Sequence, residues 1–358
     1  MNSKNKNAIA GWLLTGVFMI LIQILLGGIT RLTGSGLSIT EWDVIMGSLP
    51  PMNEVQWEQA FDKYKQFPQY KYMNSNMDLS GFKKIFWWEF AHRLWARLFV
   101  PVFVLPLIYF LWKKMIEKKL LIKLLIVFLL GGLQGLMGWI MVSSGLVDQP
   151  WVSPIDLSAH LILALVLLCY LLWLALEVLN PKTEPANFVS LRRPLIWIIT
   201  LIGIQIFYGG LMAGNHAALF YPTFPKFGDK WMPEALFVLT PRISNFFQNV
   251  GMIQLVHRSL GLIIGAVVII FFYSARRKSG TVFFHRSLAA FPFFVLLQLM
   301  LGIATLMNSL GSIPIVPAVA HQFCAVVLLM IAVMLLFQVY HAGKVETKIA
   351  EPSATTHS

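Results

Sequence analysis

The stretch IFWWEFAHRLWARLFV, from Ile85 to Val100, places ionisable side chains inside an apolar and aromatic run. Glu89 and His92 are three residues apart and therefore share one face of a helix. Arg93 and Arg97 form a second, i,i+4 stripe beside them. Ionisable groups are costly inside a membrane helix and are usually functional there. We therefore predict a membrane helix that carries an acid next to a ligand.

The composition excludes an ordinary soluble domain. Of the 358 residues, 57% are hydrophobic and only 12% are charged, and the mean hydropathy is +0.70. The formal net charge of +12 comes mostly from Lys and Arg in short connections between apolar runs, which is typical of membrane topology. No aromatic and basic patch accompanies it, so we exclude nucleic acid as a partner. Cys169 and Cys324 lie within apolar runs, where they offer no loop disulfide, and we interpret both as packing residues.

Eight segments are long enough to cross ~30 Å of hydrocarbon at roughly 20 residues each. They are residues 8–28, 86–112, 121–143, 155–178, 192–213, 247–273, 287–307 and 315–340. Basic residues cluster after the second, fourth and sixth segments, and the positive-inside rule assigns these connections and both termini to the cytoplasm. We therefore expect an all-α, multi-pass protein of a bacterial inner membrane, in contact with lipid, with an uncleaved first helix.

Two outer connections are long. The first, residues 29–85, includes most of the motif GGITRLTGSGLSITEW and continues into WEQAFDKYKQFPQY, which has the pattern of an amphipathic interfacial helix. The second, residues 214–246, is aromatic and rich in proline. Loops of this length are usually functional or disordered, and the aromatic residues favour order. The polar tail, residues 342–358, is predicted to be disordered and cytoplasmic.

The chain contains an internal repeat. QILLGG in the first segment matches QIFYGG in the fifth, and EFAHRL in the second matches QLVHRS in the sixth. LQGLMG in the third matches LQLMLG in the seventh, and LSAHLIL in the fourth matches AVAHQFC in the eighth. Each copy has four segments, so the copies are parallel rather than inverted. We predict two tandem, pseudo-symmetric four-helix bundles, residues 1–180 and 181–341.

Four of the eight histidines occupy matching positions of the repeat, one on each even-numbered segment. They are His92, His160, His257 and His321. Each half thus offers two imidazoles at similar depth on two helices, as needed to clamp a planar metal cofactor in a four-helix bundle. A single buried histidine is more often a hydrogen-bonded structural residue, but four at matching depths favour iron ligation. Because the ligands are imidazoles alone, heme is favoured over zinc or a di-iron centre.

The arginines near these histidines have two interpretations. Arg93 and Arg258 directly follow His92 and His257, and Arg97 lies one helical turn after Arg93. Guanidinium groups bind carboxylates in a bidentate fork, so these arginines suit heme propionates. The alternative is that they extend toward the lipid headgroups.

The two halves differ at one chemically important position. Glu89 precedes His92 by three residues, whereas Gln254 takes the matching place before His257. Both side chains form hydrogen bonds, but only the carboxylate can move protons or stabilise a developing cation. The N-terminal half is therefore predicted to be the reactive one. The alternative for Glu89 is a chemically idle, buried ion pair with one of the neighbouring arginines.

These motifs carry a family resemblance. GGITRLTGSGLSITEW, the LPP that follows it, IFWWEFAHR and the four repeated histidines resemble heme A synthase, specifically its long-loop class. The resemblance covers nearly the whole chain. The class with a cysteine pair in its first outer loop differs, because residues 29–85 contain no cysteine.

The resemblance implies oxidation of the C8 methyl of heme O to the formyl group of heme A, the cytochrome oxidase cofactor. It implies that heme O is bound between His92 and His160, and that a resident heme b is bound between His257 and His321. Glu89 matches the catalytic carboxylate of the family. Heme O synthase and cytochrome oxidase assembly factors are the protein partners expected from the pathway, and a homo-oligomer is compatible with the sequence.

Two other functions fit part of the pattern. A bis-histidine di-heme electron-transfer cytochrome would use the four histidines, but it explains neither the Glu89 and Gln254 difference nor the long first connection. A heme transporter or chaperone without substrate chemistry is compatible with parallel repeats, but no segment is visibly broken at the bilayer midplane. The hemes extracted from the protein distinguish these alternatives.

Overall fold

The computed structural model describes residues 3–41, 49–147, 149–179 and 184–342. The part of the chain it describes is helical and contains no β-strand. In chain order the helices are α1 (Ser3–Leu32), α2 (Glu54–Lys65), α3 (Pro68–Met73), α4 (Leu79–Trp112), α5 (Lys118–Ser144), α6 (Pro154–Leu179), α7 (Arg192–Gly214), α8 (Asn245–Gln248), α9 (Val250–Ala275), α10 (Val282–Met307) and α11 (Ile315–Tyr340). The predicted disordered tail lies, from residue 343 onward, outside the described residues.

Eight of the helices within these ranges are long and apolar enough to cross a membrane. They are α1, α4, α5, α6, α7, α9, α10 and α11. This confirms the predicted all-α membrane architecture, because each of the eight apolar segments in the sequence corresponds to one of these helices.

Helix α1 extends beyond the predicted end of the first segment. Its last turns contain the GGITRL sequence, and the hydroxyl groups of Thr30 and Thr33 donate to the carbonyls of Leu26 and Ile29, each at 2.8 Å. Gly34 then ends the helix with φ +66°, a left-handed conformation that glycine adopts without a steric penalty. The first connection therefore starts at residue 33 rather than 29.

Helix α4 begins earlier than predicted, at Leu79 rather than residue 86. Asp78 caps its start, since a carboxylate oxygen accepts from the Gly81 amide at 2.7 Å. The added turns bury Phe82 and Phe86 against the aromatic face of α2, where the Phe86 ring lies 4.9 Å from that of Trp57. His92 consequently lies in the body of a long helix.

The predicted amphipathic helix of the first connection is present as two helices. Proline at position 68 starts α3, and its lack of an amide hydrogen fits the first turn of a helix. The apolar face of α2 carries Trp57, Phe61 and Tyr64, all buried against the start of α4. The first connection is therefore packed onto the helix that carries Glu89 and His92.

The membrane-spanning helices form a central group with flanking helices. The central group is α1, α6, α7 and α11, and its largest hydrophobic core draws on both halves of the sequence. On one side, α4 packs on α1 and α5 packs on α6, while on the other α9 packs on α7 and α10 packs on α11. Each helix that carries a repeated histidine therefore adjoins a helix that carries a glutamine of the repeat motifs. These glutamines are Gln23, Gln134, Gln205 and Gln298.

Candidate functional site

Each of the four repeated histidines contacts a glutamine on a neighbouring helix. The pairs are Gln23 with His92, Gln134 with His160, Gln205 with His257 and Gln298 with His321. In the first three pairs the glutamine amide donates to the histidine backbone carbonyl at 3.2, 3.1 and 3.0 Å. In the fourth pair the amide lies 3.3 Å from the His321 ring nitrogen Nε2. In the other three pairs the amide also lies 3.2, 3.3 and 3.4 Å from this ring nitrogen, so the contact between amide and imidazole is made four times, on α1, α5, α7 and α10.

A glycine one helical turn after each glutamine makes room for the imidazole ring. The four glycines are Gly27, Gly138, Gly209 and Gly302, facing His92, His160, His257 and His321 in that order. A Cβ atom at these positions would lie 3.1, 3.0, 3.5 and 2.7 Å from the ring carbon Cε1. Three of these distances are shorter than ordinary van der Waals contacts, so only glycine allows the helix to approach the ring this closely.

The glutamine and glycine partners were not predicted from the sequence. The repeat motifs contain both residues, with the glycine four positions after the glutamine in every copy. On a helix this spacing places them on one face, next to each other. A search for polar and small residues at helical spacing within the repeat would have found them.

The spacing of His257 and His321 is compatible with a heme iron held by two imidazoles. The His257 and His321 ring centroids are 6.3 Å apart, which leaves room for one metal atom with bonds of ~2 Å to a nitrogen of each ring. His92 and His160 have the same glutamine and glycine neighbours as His257 and His321. In the described parts of the chain no three His, Cys, Asp or Glu side chains come together as a metal cluster. A metal bound here would take two ligands from the protein, and a porphyrin supplies the four others.

Unpaired polar atoms mark the same positions. The carbonyl oxygens of all four glutamines are buried without a hydrogen-bond partner, and so is Nδ1 of His257. Buried polar atoms in native proteins are nearly always paired, so unpaired ones call for a physical explanation. A molecule bound between the glutamine-bearing and histidine-bearing helices would give these atoms partners, whereas Arg192 Nε and Gln338 Oε1 are unpaired elsewhere.

Glu89 is buried and accepts three hydrogen bonds. Oε2 accepts from the Ser38 hydroxyl and from the Ile39 backbone amide, both at 2.7 Å, and Oε1 accepts from the Arg93 guanidinium at 2.5 Å. The side chains of Glu89 and Arg93 are 3% and 11% exposed. A carboxylate has about four acceptor positions, so one position on Oε1 remains for a proton or a further donor.

Gln254 occupies the matching place on α9, and its contact with the long connection has donor and acceptor exchanged. Its amide nitrogen donates to the Ala217 carbonyl at 2.7 Å, and its oxygen accepts from Arg258 at 2.6 Å. The second connection therefore presents an acceptor to the amide, whereas the first connection presents two donors to Glu89. The hydrogen-bonding groups of each connection therefore match the side chain they contact. The difference between Glu89 and Gln254 is accompanied by a difference in the connection that packs against each of them.

The arginines beside these residues fasten the two long connections. Arg93 donates to the backbone carbonyls of Ile39 and Glu41 at 2.7 and 2.9 Å, and Arg258 donates to those of Tyr221 and Lys226 at 2.7 and 3.2 Å. Arg97 lies one turn further along α4 and is half-buried. Arg93 and Arg258 thus hold backbone carbonyls as well as the side chain one turn before them.

A further junction joins the two halves. Arg31, at the end of α1, donates to the carbonyls of Ala213 and Gly214 at the end of α7 and lies 3.0 Å from Nε2 of His216. A cation at the carboxyl end of a helix is favoured by the helix dipole. The Trp151 ring lies 4.4 Å from the His216 ring, and burial, followed by the Arg31 charge, lowers the pKa of His216 to about 4. His216 lies outside the repeat pattern that identifies the other buried histidines.

These features define a class, that of polytopic membrane proteins whose buried sites are built from repeated pairs of histidines and glutamines. The family model for the cytochrome oxidase assembly protein COX15-CtaA matches residues 10–333 of this chain. The chain therefore belongs to the COX15-CtaA family.

Curated relatives share this sequence over most of its length. A protein named heme A synthase from Granulibacter bethesdensis is 42% identical over 343 residues, which are 95% of this chain and 90% of the relative. Proteins of the same name from Nitrosomonas eutropha and Flavobacterium johnsoniae are 41% and 35% identical, over 91% and 92% of this chain and 92% and 96% of their own lengths. The similarity thus spans both halves and both long connections.

Proposed function

We propose that this protein is a heme A synthase, which oxidises the C8 methyl group of heme O to the formyl group of heme A. The oxidation proceeds in two steps, to the alcohol and then to the aldehyde hydrate, which loses water to give the formyl group. Each step adds one oxygen, from water or dioxygen, and passes two electrons to an external oxidant. The relatives named heme A synthase support the reaction. The observation that carries the assignment to this chain is Glu89, a buried carboxylate three residues from a candidate iron ligand, in the half whose counterpart has a glutamine.

The two histidine pairs have different occupants in this proposal. Heme O, the substrate, is bound between His92 and His160 in the half that contains Glu89. A resident heme b is bound between His257 and His321, whose ring separation fits a shared metal. When bound, heme b supplies electron transfer to or from the substrate site.

Glu89 manages protons at the substrate methyl or stabilises positive charge there. Its ion pair with Arg93 does not make it idle, because one acceptor position on Oε1 stays open. The donors from Ser38 and Ile39 fix the direction of the carboxylate and couple it to the first connection. Fixed charge in a water-poor site stabilises a developing cation more strongly than charge in water does. The aromatic side chains of Phe86 and Phe90 beside it help to exclude water.

The arginines act mainly through the two long connections. Arg93 and Arg258 donate to two backbone carbonyls each, so their first role is to hold these connections beside the heme sites, and propionates would be bound at the same guanidinium groups. Arg97 remains a propionate candidate on α4. The enzyme works in the bacterial inner membrane with both termini in the cytoplasm. Heme O synthase supplies its substrate, and cytochrome oxidase assembly factors receive its product.

The relatives do not favour the two alternative functions, a di-heme cytochrome and a heme transporter. Co-expression of the chain with heme O synthase, in cells that lack their own heme A synthase, tests the choice. Hemes are extracted from the purified protein and from the membranes and separated by chromatography. The proposal expects heme A or its alcohol intermediate together with protoheme. Protoheme alone would identify an electron-transfer cytochrome, and heme O that stays unconverted would identify a carrier.

A further inference from the structure

The two halves differ in the packing of their second and third membrane helices. In the C-terminal half α9 and α10 pack directly against each other. In the N-terminal half α4 and α5 pack less closely, and the Phe103 and Phe128 rings meet edge to face across them at 6.5 Å. Beyond this contact, at the level of Gly131 and Gly135, an opening lies between α4 and α5. We call this opening the α4/α5 seam.

In the C-terminal half one leucine closes the corresponding position. Leu299 of α10 reaches α9 at two glycines, and its methyl carbons lie 3.8 and 3.2 Å from where Cβ atoms of Gly261 and Gly265 would be. On the same helix, Val295 is only 2% exposed. The absence of side chains at the two glycines lets α9 and α10 approach closely, as small residues do between membrane helices.

The repeat identifies the residues that stand at these places in the N-terminal half. Glu89 aligns with Gln254 and Gln134 aligns with Gln298, so the matched residues are Ala96 for Gly261, Val100 for Gly265, Gly131 for Val295 and Gly135 for Leu299. Cβ atoms at Gly131 and Gly135 would have no neighbouring atom within 4 Å, and Val100 is 64% exposed. The leucine that fills the space between the helices in the C-terminal half thus corresponds to a glycine on α5. The two glycines that it contacts on α9 correspond to the larger residues Ala96 and Val100 on α4.

Because of this exchange, α4 and α5 lack the close packing that α9 and α10 have in the C-terminal half. Helices in lipid associate through close van der Waals packing, so an unpacked seam forgoes stabilisation unless another molecule fills it. The seam lies at the level of Gln134, which contacts His160 and has a buried, unpaired side-chain oxygen. The opening therefore lies beside one of the two candidate ligands of the substrate iron.

We propose that the α4/α5 seam is the lateral entrance for heme O and the seat of its isoprenoid tail. The proposal rests on the proposed function, and it explains an asymmetry between the halves. A resident protoheme has no such tail and needs no opening to the lipid. A prenylated substrate that must enter and leave needs an opening to the lipid and space for its tail. The glycines of α5 leave space for the tail, and Val100 of α4, exposed and matched to a glycine of α9, lies on the opposite side.

Closing the seam tests this directly. Gly135→Leu introduces the residue type found at position 299, and a Cβ atom at Gly135 meets no atom within 4 Å, so the substitution starts from open space. Gly11→Leu on α1 is the matched control, because Gly11 also has no neighbour within 4 Å and is exposed. Heme O and protoheme are titrated separately into each detergent-purified protein, and the dissociation constants are compared.

The expected result for Gly135→Leu is a loss of heme O affinity of about tenfold or more, equivalent to ~1.4 kcal/mol of tail contacts. Protoheme affinity should change less than about twofold, and the Gly11→Leu control should bind both hemes as the parent protein does. Equal weakening of both hemes, or no weakening of either, would overturn the proposal. Conversion of heme O by the parent protein is measured separately, so a failed heme A synthase assignment is distinguishable from a failed seam assignment.

A second measurement avoids altering the glycines. A photoreactive amino acid is placed at Val100 on α4 or at Ile270 on α9, which are similarly exposed at 64% and 67%. Illumination with bound heme O should label the protein at position 100 and not at position 270, and protoheme should label neither. Equal labelling by heme O at the two positions would contradict the seam as the seat of the tail.

Discussion

Replacing Gly302 by alanine should weaken heme binding by His257 and His321, whereas the same change at Gly209 should not. A Cβ atom at Gly302 would lie 2.7 Å from the His321 ring, closer than real Cβ contacts, so the ring or the helix must move. At Gly209 the corresponding distance to the His257 ring is 3.5 Å, an ordinary contact. The two glycines serve the two ligands of one proposed heme, so each variant controls for the other.

The magnitude follows from the cost of overpacking. Forcing an extra methyl group into a packed site costs about 1–3 kcal/mol. If that cost falls on the bound state, heme affinity drops roughly 5- to 150-fold. The substitution itself favours the helix by up to ~1 kcal/mol, so loss of heme would not reflect loss of the helix.

The assay is the heme content per protein after purification and gel filtration, measured from the reduced pyridine hemochrome spectrum. Thermal unfolding of each variant shows whether the protein is folded. We expect a substoichiometric heme content for Gly302→Ala and the parental content for Gly209→Ala. Equal heme contents in the two variants would refute the role of glycine in setting the ring position.

Two further predictions concern the connections. Ser38→Ala removes one of the three hydrogen-bond donors to Glu89, and a bond to a charged group is worth about 1.5–3 kcal/mol. Limited proteolysis of the first connection should therefore accelerate roughly tenfold or more. An unchanged cleavage rate would show that this bond does not hold the connection. The pKa of His216 is lowered to about 4 in the folded protein, against ~6.5 in the unfolded chain. Between these two pH values the unfolded state binds more protons than the folded state. Stability is therefore lost as the pH falls through this range. The thermal midpoint should therefore drop from pH 7 to pH 5, and by less in His216→Gln; an equal drop in both would exclude His216 as a source.

The number and class of the helices could be predicted because membrane helices are determined by local sequence. A run of about 20 apolar residues satisfies all its backbone hydrogen bonds within itself, whatever its neighbours are. The ends of helices were less predictable. α1 continues through GGITRL because threonine hydroxyls bond to carbonyls of the preceding turn, and α4 starts early because α2 packs against it.

The buried histidines and the buried carboxylate could be picked out from the sequence, but the residues that contact them could not. His92, Glu89 and Gln254 stand out because ionisable and polar residues are rare in apolar runs. Gln298 is also a polar residue in an apolar run, but its role and that of Gly302 depend on which helices become neighbours. The hydrogen bonds from Ser38 and Ile39 to Glu89 join residues 50 or more positions apart, a contact that no local pattern specifies.

The packing of α4 and α5 was also outside the reach of the repeat pattern alone. The repeat predicts that the halves are alike, and the glycine and leucine exchange at positions 135 and 299 is visible only once the helices are known to face each other. Differences between repeats, rather than their similarities, therefore carry most of the functional information in this chain.

The central claim is that Glu89 is the catalytic group of the N-terminal half. The direct test is the ratio of heme A to heme O extracted from Glu89→Gln and from Glu54→Gln, each co-expressed with heme O synthase. Glu54 is an exposed residue of the first connection and undergoes the same chemical change.

We predict that Glu89→Gln keeps its bound heme but lowers the heme A to heme O ratio by about 100-fold or more, the range of a lost general acid or base. The Glu54→Gln variant should match the parent protein. A parental ratio of heme A to heme O in Glu89→Gln would contradict the account.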